Sequence, residues 1–352
     1  MKRVFLLTTL ASVAGVLGIL ILGSSAAHAV TDCTFTTSGS TKTLDGDCTT
    51  DETIFIADGE TLDGNGNSIT AVDPPAGHFV GGVVENGGAT AHVTRLVVHG
   101  NLALNVCDAG ASRLRGILFT AASGSITHNT VQNINQGASG CQEGNGIEVR
   151  NAPFDGTHPD TQSAEIAHNV VEDYQKGGII CNGDVDCWIH QNVVGQSFTQ
   201  ANLTANAVQL GFGAAGLVQH NHIAGNQNLI PGGADFSVRT AVLLFSVESA
   251  VVKQNNIGGN AQCAICVFSG NSVVDNNRIF ERDADGSTDV IFDGGIVDIG
   301  ASNSFTNNKV RGYDSPAAAF PDDGEISGTN VVSAPQDPGA ACFLPDSSAQ
   351  SC

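Results

Sequence analysis

The sequence predicts an all-β solenoid with three short strands per turn, and three observations carry that prediction. The first is a six-residue pattern, apolar-x-x-Asn-x-apolar, that occurs seven times: Ile126-Thr127-His128-Asn129-Thr130-Val131, then around Asn169, Asn192, Asn221, Asn255, Asn277 and Asn308. The second is a companion pattern, a small residue followed by alternating apolar positions, starting at Gly116, Gly146, Gly178, Ala207, Ala241, Ala264 and Gly295. Alternation with period two is the mark of a strand, and no stretch after the leader holds a 3.6-residue period. The third is spacing: Asn169 to Asn192 is 23 residues and Asn255 to Asn277 is 22, room for three strands and their turns. Units this short bury an apolar face only against their neighbours, which is the logic of a solenoid.

The elements follow in order. Lys2 and Arg3, the apolar run Val4 to Leu22, and Ala27-His28-Ala29 read as a signal peptide cleaved before Val30, with an uncleaved anchor as the alternative. Residues 30–49 form an amino-terminal cap, 50–312 the repeats, and 313–352 a carboxy-terminal cap and irregular tail rich in proline. Within the repeats, asparagine suits a corner that needs left-handed backbone, and stacked copies can bond amide to amide along the axis. Composition agrees: 43 glycines, one tryptophan and two tyrosines suit thin coils better than a core of large aromatics.

Ile54 to Ile69, with its Asp58-Gly59 and Asp63-Gly64-Asn65-Gly66 turns, and Gly82-Val83-Val84 with Val93 to Val98, where Leu96 replaces the asparagine, extend the pattern toward the amino terminus. With these segments the chain resembles the right-handed parallel β-helix, or pectate-lyase-like, superfamily over about residues 50–312. The resemblance implies a single-stranded right-handed β-helix of about eight or nine rungs with an asparagine ladder. It also implies polysaccharide bound over the first strand of the middle rungs. The chain lacks the Asn-Thr-Asp set of polygalacturonases, the Arg-Pro-Arg motif of pectate lyases and the Asp-Pro-His-Glu motif of alginate epimerases, so no particular enzyme is implied.

Ten cysteines in an exported chain favour disulfides. Cys33 with Cys48, Cys107 with Cys141, Cys181 with Cys187 and Cys342 with Cys352 are the expected pairs. Cys263 and Cys266 are harder, because three residues of extended strand separate Cα atoms by about 10 Å, past the ~7 Å that a bridge tolerates; either that segment bulges or the two pair differently. The net charge of −21, or −23 once Lys2 and Arg3 leave, repels nucleic acid, anionic membrane and bare polyanions. Neutral glycans, or acidic ones bridged by calcium, remain as partners; after cleavage no membrane contact is expected, and the product is secreted.

Strand alternation turns Leu118, Thr120, Glu148, Arg150, Ile180, Asn182, Gln209, Gly211, Leu243, Phe245, Cys266 and Phe268 outward on the first strand of each coil. Polarity concentrates on the middle coils, among long loops near 132–145, 151–161, 195–206, 224–240 and 280–294, where function tends to sit. A lyase acting on a uronic acid needs a base, a proton donor and a cation for the carboxylate; Glu148, Arg150, Tyr174 and Lys176 are the catalytic candidates. Asn182, Gln209, His158, Asp160 and Glu143 are the candidate substrate contacts. Asp184 and Asp186 are the candidate calcium ligands, and a hydrolase would instead pair Glu148 with Glu143 or Asp184. His128, His168, His190 and His220 read as polar turn residues rather than a metal ladder. A non-catalytic exported scaffold that binds glycan is the alternative function.

Overall fold

In the computed structural model the chain is a parallel β-helix built from three sheets. The structure describes residues 30–313 except 138–139, 152–161, 196, 198–202, 227–238, 260, 262 and 282–293, together with 315–319 and 330–333. The expected pair Cys342–Cys352, the leader, His158 and Asp160 lie outside these residues.

Each coil contributes one strand to each sheet. A first sheet of 10 strands runs from Ile54–Ile56 through Arg115–Thr120, Asn145–Asn151, Gly177–Gly183, Ala205–Gly211 and Arg239–Phe245 to Ser315–Ala319. Two further sheets have 11 strands each. Pairing is parallel except at the amino terminus, where Phe35–Ser38 folds back antiparallel on Thr41–Leu44 and covers the open edge of the second sheet. One hydrophobic cluster, mostly Val, Ile, Leu and Ala, runs the length of the interior, buried from Leu44 to Tyr313.

The asparagines stack as a hydrogen-bonded column. Asn129 donates both its backbone N–H and its Nδ2 to Asn169 Oδ1, at 2.9 and 3.0 Å, and the same double bond repeats through Asn192, Asn221, Asn255, Asn277 and Asn308. Each Nδ2 also donates to a carbonyl one coil back, as Asn221 does to Ile189. The side chains are buried, so this internal pairing replaces the water they lose. The left-handed residue at this corner is the one before the asparagine: His128, His168, Gln191, His220, Gln254, Asn276 and Asn307 all have φ between 53° and 61°. Asparagine is therefore selected for its amide, not for its backbone tolerance.

Strand pairing is also seen on either side of residues 50–312. Thr41–Leu44 and Cys48–Thr50 already pair in parallel with the next coil. Beyond 312, Ser315–Ala319 and Val331–Ser333 extend two sheets, and Asn330 accepts from Asn308 at the top of the column. Ser327, where the repeat calls for an apolar residue, hides that last copy in the sequence.

The disulfides Cys33–Cys48, Cys107–Cys141 and Cys181–Cys187 form as the sequence suggests. Cys263–Cys266 also forms, with a Cα separation of 5.8 Å, so of the two alternatives it is the segment that departs from extended strand. The physical reason lies in the small-residue position. Parallel pairing along the first sheet skips that residue in every coil, so Arg115 pairs with Asn145 and Ile117 with Ile147, leaving Gly116 out of the ladder. The chain kinks there to turn the corner, and a kink at Ala264 draws Cys263 and Cys266 together. The corner also explains why the residue is small: a Cβ on Gly116 would lie 2.5 Å from Gly146 O and 2.6 Å from Val131 Cγ1.

Candidate functional site

The kink decides which side chains face out from the first sheet. Strict alternation back from Leu118 would turn Gly116 outward, but the break at Gly116 hands that place to Arg115. Three columns therefore run along the outer face. The first is Gly82, Arg115, Asn145, Gly177, Asn206, Thr240 and Cys263. The second is Glu85, Leu118, Glu148, Ile180, Gln209, Leu243 and Cys266, and the third is Thr120, Arg150, Asn182, Gly211, Phe245 and Phe268.

On the middle coils these columns floor a pocket of about 500 Å³. Arg113, Gln142, Lys176, Thr204 and Phe212 complete its walls. Four of the chain's 14 lysines and arginines, Arg113, Arg115, Arg150 and Lys176, line it against one carboxylate, Glu148. A cationic pocket thus sits in a strongly acidic protein.

Glu148 is nearly inaccessible and tightly held. Its Oε2 accepts from Arg115 Nε at 2.7 Å and from Asn145 Nδ2 at 2.8 Å, and Oε1 lies 4.0 Å from Arg150 Nη1. Arg115 is anchored in turn by the carbonyls of Gly110, Ala111 and Arg113. Burial lowers the Arg150 guanidinium, an effect that Glu148 opposes and Arg115 and Arg113 reinforce. Glu85, at the edge of this group, is pushed up by burial even though it accepts from Gly82 N at 2.6 Å.

Lys176 stands on the wall, with no carboxylate in an ion pair with it among the described residues. Its Nζ donates to Thr204 O at 2.5 Å, and burial, with a smaller contribution from Arg113, draws its ammonium down to about 8. One coil on, the floor is an amide chain: Thr240 Oγ1 donates to Asn206 Oδ1, Asn206 Nδ2 to Gln209 Oε1, and Gln209 Nε2 to Asn182 Oδ1, all within 2.8 Å. Phe212 and Phe245 close the far end, their rings 5.3 Å apart.

Among the sequence candidates, the structure gathers Glu148, Arg150, Lys176, Asn182 and Gln209 at this pocket. Tyr174 is elsewhere: it is fully buried inside the coil, its hydroxyl 2.6 Å from Asn226 Oδ1 and 3.0 Å from Gly195 O. Burial drives its phenol far above the ordinary range, so it holds its proton and serves as a brace. Glu143 is also sequestered, accepting from Asp108 N and Leu114 N at 2.9 and 2.8 Å, where it ties down the 102–114 loop beside Cys107–Cys141. Neither lines the pocket: Tyr174 is held by the Asn226 amide and the Gly195 carbonyl, and Glu143 by two backbone N–H groups.

Among the described residues, side-chain donors converge closely enough to hold a metal only at Asp32, Cys33 and Cys48 and at Cys107, Cys141 and Glu143. Both sets contain disulfide sulfurs, which are poor ligands because thiolates are what bind metals. Asp184 and Asp186 belong to neither, and they flank buried Val185 on the second sheet rather than the pocket. His128 and His168 stack at 4.7 Å, while His190, two residues from Trp188, bonds Glu165 at 3.1 Å.

Sequence reasoning missed Arg113, Arg115, Asn145, Asn206 and Phe212. The signal for three of them was present: Arg115, Asn145 and Asn206 each directly precede the small residue of their coil. Recognising that the small residue is a kink, not a strand position, would have turned them outward.

No family model matches this chain, and no curated protein matches it. Among solved structures, the crystal structure of the Dettilon tailspike protein (gp208) is similar at a TM-score of 0.45 and 14% identity. The match covers 83% of this chain and 61% of that one, so the chain spans less than two thirds of the tailspike protein.

Proposed function

We propose that this is an exported protein that binds acidic polysaccharide along the outer face of its first sheet and carries the groups for β-elimination rather than hydrolysis. The observation that supports this reading is the pocket itself: Arg113, Arg115, Arg150 and Lys176 around the single carboxylate Glu148. Four cations against one anion favour a polyanionic ligand held directly, without the calcium bridge that the net charge suggested. Four disulfides among the described residues fit an oxidising compartment. The coil is read as right-handed, and the leader as removed before Val30.

Glycoside hydrolysis needs two carboxyl groups about 5–10 Å apart across the bond. Among the described residues, the pocket offers only Glu148, and Arg115 and Asn145 hold it. Elimination fits better. Neutral Lys176 would take the C5 proton of a uronate; the C–H electrons would form the C4=C5 bond, and the C4–O bond would break as solvent protonates the leaving oxygen. Arg113 and Arg150 would neutralise the uronate carboxylate, which acidifies C5. A base drawn down to about 8 by burial is suited to this work near neutral pH.

The test is incubation of the purified protein with polygalacturonate, alginate and hyaluronan, reading ultraviolet absorbance of unsaturated uronates together with binding by calorimetry. Elimination should rise with pH through about 8 in the wild type. Lys176→Arg should abolish it while keeping binding, since arginine preserves the charge but stays protonated. Binding without product would identify a glycan-binding scaffold, the reading favoured by the locked Glu148–Arg115 pair. Absence of binding to every polyanion would overturn the proposal.

A further inference from the structure

The pocket has two chemically different ends. At one lie Arg113, Arg150 and Lys176; at the other lie Phe212 and Phe245, 40% and 38% exposed. Large side chains left half open to solvent in contact with one another carry information that scattered exposed residues do not. In the third outward column, Arg150, Asn182, Gly211 and Phe245 follow on successive coils. Arg150 and Phe245 therefore stand three strand spacings apart, roughly 14 Å at ~4.8 Å per step.

Gly211 stands between them in the column and brings no side chain to the floor. A Cβ there would meet Asn182 Oδ1 at 3.1 Å, Gln209 Nε2 at 3.3 Å and Phe245 O at 3.3 Å. The side chains around this bare position are the amides of Asn182 and Gln209, with Phe245 on the next coil of the column and Phe212 next in sequence. This is the composition of a site for an uncharged sugar ring: an apolar ring face against aromatic carbon, with hydroxyls or an amide substituent toward Asn182 and Gln209. Among the described residues no cationic side chain lines that end, so a second charged sugar would gain no ion pair there.

We infer that the pocket selects an acidic heteropolysaccharide, with a carboxylated or sulfated sugar at Arg113, Arg150 and Lys176 and an uncharged sugar stacked on Phe212 and Phe245. A pyranose is about as long as one ~4.8 Å coil step, so a chain lying along the axis offers about one sugar per coil. The charged and uncharged subsites then belong to different sugars of one polymer. Phe212 and Phe245 are specificity-determining residues, and the inference rests on the acidic-glycan reading above.

The experiment compares hyaluronan, which alternates glucuronate with N-acetylglucosamine, and polygalacturonate, in which every sugar is charged. Affinities are measured by calorimetry for the wild type, Phe212→Ala/Phe245→Ala, Phe212→Trp/Phe245→Trp and Arg150→Gln, with folding checked by circular dichroism. The wild type should prefer hyaluronan. The double alanine variant should lose about tenfold in affinity for hyaluronan, the worth of one well-made aromatic contact, while polygalacturonate binding stays within about twofold. The tryptophan variant should restore hyaluronan binding, and Arg150→Gln should weaken both polymers. Equal loss of both polymers in the double alanine variant, no loss of either, or a wild-type preference for polygalacturonate would overturn the inference and leave the acidic-glycan reading standing. Failure of the wild type to bind either polymer would overturn that reading as well.

Discussion

At the residue scale, Lys176 shows how little of a side chain's chemistry is set by its identity. An ammonium in water keeps its proton to about pH 10.4; here burial and the neighbouring Arg113 pull it to about 8. A basic group with a lowered folded-state value destabilises the fold while it is charged there. Between about pH 8 and pH 10.4 the folded protein gives up this proton while the unfolded chain keeps it, so stability gains over that window. Lys176→Met removes the effect. The variant should therefore melt above the wild type at pH 7, with the difference shrinking as the pH approaches 10, as differential scanning calorimetry would record. A constant offset would show that the lysine is not desolvated. Glu148 offers the complementary case: Glu148→Gln leaves Arg115 buried without its anion and should cost roughly 3–5 kcal/mol in denaturant melts.

At the scale of the element, the repeat is legible because one physical job recurs at one place in every coil. The asparagine column was readable as a pattern; which residue bends the backbone was not, since only coordinates separate a left-handed His220 from the Asn221 beside it. Asn221 accepts two bonds from Asn192 and donates to Asn255 and to Ile189 O, all in the dry interior. Asn221→Leu is close in size but leaves Asn192 N and Nδ2 without that acceptor. At about 1–3 kcal/mol for each buried group left unpaired, the loss should reach roughly 2–6 kcal/mol. Hydrogen exchange should then speed up first at the amides of the coils around 192–222, because solenoid coils are stabilised chiefly by their neighbours. Uniform acceleration along the chain would contradict that coupling.

At the scale of the whole molecule, two charge distributions oppose one another. The whole chain carries a net −21 and repels a polyanion at long range, while four cations in one pocket attract it at contact. Salt reaches these differently: long-range repulsion fades as the Debye length falls from about 30 Å at 0.01 M to about 10 Å at 0.1 M, whereas the partly buried pocket is screened less. The association rate for an acidic glycan should therefore rise with added salt over that range, while the dissociation rate rises as well. Stopped-flow measurement would show both, and an association rate that falls steeply with salt would mean that the acidic body plays no part in encounter.

The sequence by itself determined the solenoid, its three-strand coil, the asparagine column and the outward polar residues Glu148, Arg150, Asn182 and Gln209, because each follows from a period that sterics and burial enforce coil after coil. Only the tertiary structure decided the rest. Alternation runs within a strand, and the kink at the small residue breaks it; so Arg115 faces the pocket, and Cys263 reaches Cys266. Tyr174 and Glu143 have the right chemistry and the right neighbours in sequence, but packing ties Tyr174 to Asn226 and the Gly195 carbonyl and Glu143 to backbone N–H groups. Net charge is a sum over the chain and carries no positions. A protein of charge −21 holds a cationic pocket because stacking brings residues 113, 115, 150 and 176 from neighbouring coils to one place.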